Sequence, residues 1–386
     1  MKKIIATALA ASMAASLAAC GGSTASGAAP AASAAASAAV AAPGFEATET
    51  KYPFAYPVSE DFENVKIDCS ADSELELSLG CSGTISGTVN GDAVAFAQSV
   101  AEKATDGKVK ITLYEGGTLG SDTEMMSGMQ MGSVDMFTGA PSGQVTMIPN
   151  LAVLDIGGAY SSIENCNTNL ANFVDLIQPD YNNQGLQMMD CFATDWRLLT
   201  SNKEYKSLAD LKGSTVRVQE NPYHIAFWSA LGANPTPLAF GEVYLSLQQG
   251  MLDAQENPYG SIIGAKLYEV QKYLYESDHI PFISTTVVSK AKMDSLSASQ
   301  KQAVYEFCYA MEYYMLENSQ AAIEDENKTC VDGGMTYIAE MPADIVAQYP
   351  AAAQAAINAM KGAVNEQFLS DYVAAINTVE GTSLTA

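Results

Sequence analysis

Only two arginines occur among 386 residues, Arg197 and Arg217, in a chain whose formal net charge is −25. A guanidinium is a planar fork of donors that matches the two oxygens of a carboxylate, so an acidic chain that keeps two forks close together is equipped to recognise an organic acid. The same residues could equally anchor loops or acidic partners, and residue type alone leaves that open. Other chemistry is poorly supplied. The two histidines, His224 and His279, have no metal-ligand spacing, and no serine nucleophile elbow, phosphate loop or zinc-binding cluster occurs. Acidic pairs such as Asp122 and Glu124 fit helix capping better than general acid–base work. The reading is therefore of a binding protein rather than an enzyme, with no metal and no cofactor.

Charge also restricts partners. So negative a chain is repelled by nucleic-acid phosphates and by anionic lipid faces. The amino terminus carries Lys2 and Lys3, then an apolar run over residues 4–17, the pattern of a secretion signal and too short for a permanent membrane span. The run closes on Leu17-Ala18-Ala19-Cys20-Gly21, which resembles the lipobox of bacterial lipoproteins. By that resemblance residues 1–19 are a signal peptide, and Cys20 becomes the lipidated first residue, holding the exported protein on the outer side of the cell membrane. Residues 21–44 are Gly, Ala, Ser, Thr or Pro but for Val40, a composition that buries no core and reads as a tether. Residues 20–73 are taken together as lipidated cysteine and tether, and residues 45–72 receive no element. Six further cysteines remain; at most Cys166 with Cys191, or Cys69 with Cys81, is expected to pair, and six free thiols are equally acceptable.

The elements that must position the arginines follow an α/β rhythm. Strand-like alternation at 74–79 and 109–113 flanks a helical period over 89–104. Ser121-Asp122-Thr123-Glu124 opens a helix with capping-box chemistry, and residues 134–138 form a strand whose following loop, 139–143, lies where open α/β sheets place ligands. A buried strand at 186–192 leads into Arg197. Thr215-Val216-Arg217-Val218 alternates as a strand, and Asn221-Pro222 starts a helix. A long helix is expected from about 297 to 330, with Val304, Phe307, Cys308, Met311, Tyr314 and Met315 along one buried face. The length suits two lobes rather than one core.

Asp195-Trp196-Arg197, Leu211-Lys212-Gly213, Val216-Arg217-Val218, residues 231–237, residues 239–244 and Asp253-Ala254-Gln255-Glu256-Asn257-Pro258 follow one another in an ordered set. With Gly117-Thr118-Leu119-Gly120-Ser121-Asp122 upstream and Tyr268-Glu269-Val270-Gln271-Lys272-Tyr273 downstream, this set resembles the substrate-binding proteins of TRAP (tripartite ATP-independent periplasmic) transporters, the DctP-like family, here in lipoprotein form. The resemblance covers roughly residues 74–376. It implies a two-lobed periplasmic-binding-protein-like fold, type II-like, with a long helix crossing both lobes: lobe 1 from 74–194 plus 281–322, and lobe 2 from 195–280 plus 323–386. The helical segments at 343–360 and 365–376 are expected on the second lobe. It also implies capture of a small carboxylate and its delivery to a TRAP permease; a sensory lipoprotein serving a receptor is the first alternative and an exported enzyme the second.

Residue by residue, the resemblance makes Arg217 a two-pronged clamp on the ligand carboxylate, Arg197 a second polar contact, Asn257 the group that holds the clamp in register, and Phe240 a pocket wall. Thr138 belongs to the loop region facing the ligand, and Trp196 and Tyr223 are expected to narrow the pocket toward a compact acid. The family commonly has Gly at the position of Ala254 and often Pro at that of Gln219. Sialic-acid-binding members carry a Glu and a further Arg after the strand at 134–138, whereas residues 137–148 here hold no charge, so sialic acid is not the expected ligand.

Overall fold

The computed structural model describes residues 39–51 and 55–386. The leader, Cys20 and most of the Ala- and Ser-rich stretch fall outside the described residues. Two short antiparallel strands come first, β1 (Glu49–Lys51) and β2 (Tyr56–Val58). A second sheet contains β3 (Leu75–Gly80), β4 (Val109–Tyr114), β5 (Met136–Gly139), β6 (Leu186–Ser201), β7 (Thr215–Val218), β8 (Asn234–Pro237), β9 (Ala254–Asn257), β10 (Tyr273–Ser289) and β11 (Thr336–Ile338). Its order is β4-β3-β5-β10-β6-β9-β7-β8, with β11 also paired to β10.

Strands β6 and β10 form the spine that joins two lobes. They run antiparallel from Leu186↔Ser289 to Ser201↔Tyr273, far longer than a strand serving one lobe needs. Near one end β5 joins β10, bringing the parallel pair β3 and β4 and the helices Val89–Ala104 and Asp122–Met131. Near the other end β9 joins β6 and β11 joins β10, carrying β7, β8 and the helix Pro222–Ala230. The β6–β10 register slips between Tyr275 and Ile280 and again between Phe282 and Ile283, so the spine is irregular beside Arg197, which pairs with Ile280.

The long helix is Ala298–Asp332, opened by a full capping box between Ser297 and Gln300. It packs on Val89–Ala104, with Phe96 against Tyr314, and on Tyr259–Gly264, where Asn327 donates to the Tyr259 hydroxyl, so it crosses from one lobe to the other. The helix Tyr349–Met360 packs on Pro222–Ala230. The last helix, Glu366–Glu380, departs from expectation. It packs instead on Ile163–Phe173, a segment the sequence reading assigned to the first lobe, through Phe173 against Phe368 and Tyr372 and a Tyr160–Tyr372 hydroxyl contact of 2.9 Å.

Residues 45–51 and 55–72, part of a segment to which the sequence assigns no element, form a belt on the first half of the long helix. Tyr56 is almost fully buried and stacks on Tyr305 at 4.8 Å between ring centroids. Its hydroxyl donates to the Met189 carbonyl at 2.5 Å. Tyr309 donates to Glu49, Gln302 donates to the Pro57 carbonyl, and the Ser59 amide donates to Glu306. Phe62 packs on Phe96, Tyr309 and Tyr313.

The six cysteines of the described residues are free thiols, buried or half-buried, so neither Cys166–Cys191 nor Cys69–Cys81 forms a bridge. They fill core space as small apolar groups. No helix among the described residues is long and apolar enough to cross a membrane.

Candidate functional site

Between the lobes lies a cavity of about 320 Å³. Its first-lobe wall comes from residues 81–85, from the start of helix Asp122–Met131 and from Thr138, Gly139 and Ala140 at the end of β5. Arg217, Gln219, Leu238, Phe240 and Asn257 form the second-lobe wall. Phe192 and Phe282 from the two spine strands, with Met311 and Met315 from the long helix, close the back.

Arg217 stands on β7 between Val216 and Val218, both fully buried, so the alternation of the strand fixes where its side chain points. Only 2 % of the residue is exposed. Nε and Nη2 donate to the Leu238 carbonyl at 2.9 and 2.6 Å, and the guanidinium carbon sits 5.8 Å from the Phe240 ring centre. Nη1 is buried and has no hydrogen-bond partner. Burial pushes the guanidinium down to about 10, against the pull of Glu256 and with the added repulsion of Arg197, so it remains a cation at neutral pH. A buried cationic donor left unsatisfied is costly unless something arrives to accept from it.

Arg197 is differently employed. On β6, it grips the Glu256 carboxylate with Nε and Nη2, the latter at 2.8 Å, and Nη2 also reaches the Glu256 carbonyl at 2.8 Å and Asn257 Oδ1 at 3.2 Å. His279 Nε2 lies 3.2 Å from the same carboxylate and its Nδ1 lies 3.0 Å from Ser277 Oγ. All three groups are buried. Burial alone would raise the Glu256 carboxyl, but the charge of Arg197 and the hydrogen bonds from His279 and Arg197 hold it far below the usual carboxylate range. Burial in turn depresses His279 against the attraction of Glu256. The charge of Arg197 is thus balanced within the protein, whereas no carboxylate among the described residues pairs with Arg217. Asn257 binds Arg197 through Oδ1 and donates to Gln255 Oε1 at 2.6 Å; neither bond reaches Arg217, so its link to the clamp is indirect.

Of the seven ligand-site residues read from the sequence, Arg217, Arg197, Asn257, Phe240 and Thr138 line the cavity. Trp196 and Tyr223 are not among the lining residues. Trp196 neighbours Arg197 on an extended strand, so the two point to opposite faces, and Trp196 packs against the hydrophobic clusters instead. Tyr223, in the first turn of its helix, is buried in the core at 5 % exposure. The narrowing expected from them comes instead from Phe192, Phe282, Met311 and Met315.

Three participants escaped the sequence reading: Glu256, His279 and Asp122. The helix beginning at Asp122 is capped by Ser121 and Glu124, which frees Asp122 to face the cavity. Its Oδ1 is buried without a partner, and a Cβ at Gly143 would lie 2.3 Å from Oδ2, so only glycine leaves room for this carboxylate. Burial raises the Asp122 carboxyl; a hydrogen bond from Ser82 and the charge of Arg217 oppose the rise, and Glu220 adds to it. Gln219 takes a short hydrogen bond from Ser142, linking the loop after β5 to the end of β7.

Residues 84–363 match the family model described as bacterial extracellular solute-binding protein, family 7, DctP. A solute-binding protein of Roseobacter denitrificans is 30% identical over 267 residues, 69% of this chain and 82% of that protein. The 2,3-diketo-L-gulonate-binding periplasmic protein of Escherichia coli is 32% identical over 53% of this chain and 62% of its own length. Among solved structures, a TRAP periplasmic solute-binding protein from Roseobacter denitrificans with bound L-galactonate superposes with a TM-score of 0.70 at 28% identity, covering 78% of this chain and 99% of that one. A sugar-acid-binding protein from Advenella mimigardefordensis in complex with galactonate has the same fold, with a TM-score of 0.74 at 23% identity over 80% of this chain and 99% of that one. With the two lobes, the spine strands and the arginine-bearing cleft in place, the chain belongs to the DctP family of bacterial extracellular solute-binding proteins, the solute-binding proteins of TRAP transporters.

Proposed function

We propose that this protein captures a small hydroxylated monocarboxylate, of the aldonate or uronate type, outside the cytoplasm and delivers it unchanged to a TRAP permease. The observation that carries the reading is Arg217: a buried cation on the cavity wall with Nη1 unpartnered, while Glu256 already neutralises Arg197. A ligand carboxylate accepting from Nη1 would satisfy the orphan donor in a low-dielectric cleft, where such a bond is stronger than in water. Arg197 then contributes shape and hydrogen bonding rather than net charge, Asn257 steadies Arg197, and Phe240 and Thr138 bound the two sides.

The other end of the cleft favours hydroxyl groups over a second carboxylate. Asp122 offers an unpartnered acceptor, Glu220 lines the same cavity, and Ser82, Ser121 and Thr138 add small polar groups. A second ligand carboxylate would meet Asp122 and Glu220 with like charge, whereas sugar hydroxyls would donate to them. The galactonate carried by the Roseobacter denitrificans relative has this chemistry. The Arg197, Glu256 and His279 groups are tied to one another, so none of the three is free to act as a base, which supports binding without turnover. Residues 1–19 as a signal peptide and Cys20 as a lipid anchor complete the proposal, placing the protein on the outer face of the membrane.

The test is calorimetry of the purified protein against galactonate, galacturonate and succinate, with mass spectrometry of any small molecule released on denaturation. Tight binding of a sugar acid, recovered intact, with weak or absent binding of succinate is the expected result. Preference for succinate would overturn the hydroxyl-acid reading, and conversion of the acid would overturn capture without chemistry.

A further inference from the structure

Behind the ligand cleft is a second, much smaller cavity of about 10 Å³, enough for about one water molecule. It draws walls from both lobes and from the elements between them. Val89 and Asn90 belong to the first lobe, Pro258 and Gly260 to the second, Thr194 and Asp195 to the spine strand β6, and Ser319 and Glu326 to the long helix. The lobes meet closely here. A Cβ at Gly264 would lie 1.7 Å from the Thr84 carbonyl oxygen, and one at Gly260 would lie 3.7 Å from Asn90 Nδ2. An opening of the cleft that parts this seam would admit water to the cavity.

Two carboxyl groups line it, and no lysine, arginine or histidine does. Glu326 is 9 % exposed and its Oε1 has no partner. Asp195 accepts from the Trp196 amide at 2.7 Å. We propose that closure of the lobes takes up a proton, held by Asp195 and Glu326 in this inter-lobe cavity, so that ligand capture is coupled to acidity. Two ionised carboxylates in so small and dry a space would repel each other with nothing to balance them, and a proton removes the conflict.

The surroundings reinforce this. Burial first of all pushes Asp195 up to about 7; the Trp196 amide opposes it, and Glu326 on the long helix with Glu276 and Asp278 on β10 add to the rise. Burial pushes Glu326 up to about 7 as well, against a hydrogen bond from the Val89 amide. Asp278 is itself raised to about 6 by burial and by Glu276, which accepts from the Tyr259 hydroxyl. Each charged neighbour acting on the pair is a carboxyl.

The sign follows from the raised acidity constants. In an open, hydrated form both carboxyls return toward the ordinary range of about 4 and are ionised at neutral pH. In the closed form they stay protonated up to about 7. Between those limits closure binds protons, so affinity falls as pH rises, by up to about tenfold per pH unit for each proton taken up, and levels off above the closed-form value. His279 gives no such slope. It is depressed in the closed form, and any proton it lost on closure would make affinity rise with pH.

Small-angle scattering of the ligand-free protein at about pH 5.5 and about pH 8.5 reads lobe opening without any ligand. A smaller radius of gyration at the acid pH, abolished in Glu326→Gln and in Asp195→Asn/Glu326→Gln, is the expected result. No pH response in the unmodified protein, or the same response in both variants, overturns the proposal. Calorimetry with galactonate in buffers of different ionisation heat forms the second arm: proton uptake in the unmodified protein, lost in Glu326→Gln, supports it, and equal uptake in both overturns it. Should galactonate fail to bind, the hydroxyl-acid reading alone is lost and the scattering arm still decides the proton coupling.

Discussion

The two arginines carry opposite accounts. Arg197 is paired with the Glu256 carboxylate through Nε and Nη2, and Arg217 holds a backbone carbonyl with two nitrogens and leaves Nη1 without a partner. Arg217→Ala should reduce affinity for the carboxylate by about 10- to 150-fold, since hydrogen bonds to charged groups are worth about 1.5–3 kcal/mol. The melting temperature of the ligand-free protein should hardly change, because the substitution also removes an unsatisfied donor; calorimetry and thermal melts read the two quantities separately. Arg217→Lys should restore little, for a point charge cannot both hold Leu238 and present a free prong. Glu256→Ala acts in the other direction. It strands the guanidinium of Arg197 without its counter-charge, at a cost of about 3–5 kcal/mol in unfolding free energy by denaturant titration, with the loss of binding a consequence of the damaged fold. A Glu256→Ala protein as stable as the parent would show that Arg197 finds another partner.

At the scale of elements, the strand bearing Arg217 was legible because Val216 and Val218 bracket it, and the long helix because its apolar stripe begins just after Ser297 and Gln300. The roles of Glu256 and His279 were not. Glu256 is brought to Arg197 by the pairing of β9 with β6, and His279 arrives through a register slip in β10; neither event leaves a local pattern. Trp196 was misread although the alternation beside Arg197 already assigned it to the opposite face. The belt over residues 45–51 and 55–72 was illegible for another reason: its partners Tyr305, Glu306 and Tyr309 lie some two hundred and fifty positions away. The seam between the lobes yields a prediction at this scale. Gly264→Ala places a methyl group against the Thr84 carbonyl, which the closed form has no room to accept. Overpacking of this kind costs about 1–3 kcal/mol, and because it falls on closure, ligand affinity should drop by about 5- to 100-fold while the ligand-free melting temperature stays put. Equal affinity for the Gly264→Ala protein and its parent in calorimetry would sink the seam as a closure contact.

At the scale of the whole molecule, the family model matches residues 84–363, and the belt on the long helix lies ahead of that match. Cys20→Ala should move the protein from the membrane fraction to the soluble exported fraction with its affinity for galactonate unaltered; persistence on membranes after the substitution would remove the lipid anchor. The belt adds a mechanical corollary. A pull arriving along the chain from its amino-terminal side meets β1, β2 and Phe62, and passes into Tyr305, Glu306 and Tyr309, ahead of the cleft-lining Met311 and Met315. The load path therefore enters the first half of the long helix and, through the Tyr56 hydroxyl on the Met189 carbonyl, the first-lobe end of β6. Were the chain held from its amino-terminal side, as the proposed anchor at Cys20 would hold it, the pull would enter ahead of the cleft-lining Met311 and Met315 and would not act across the cleft.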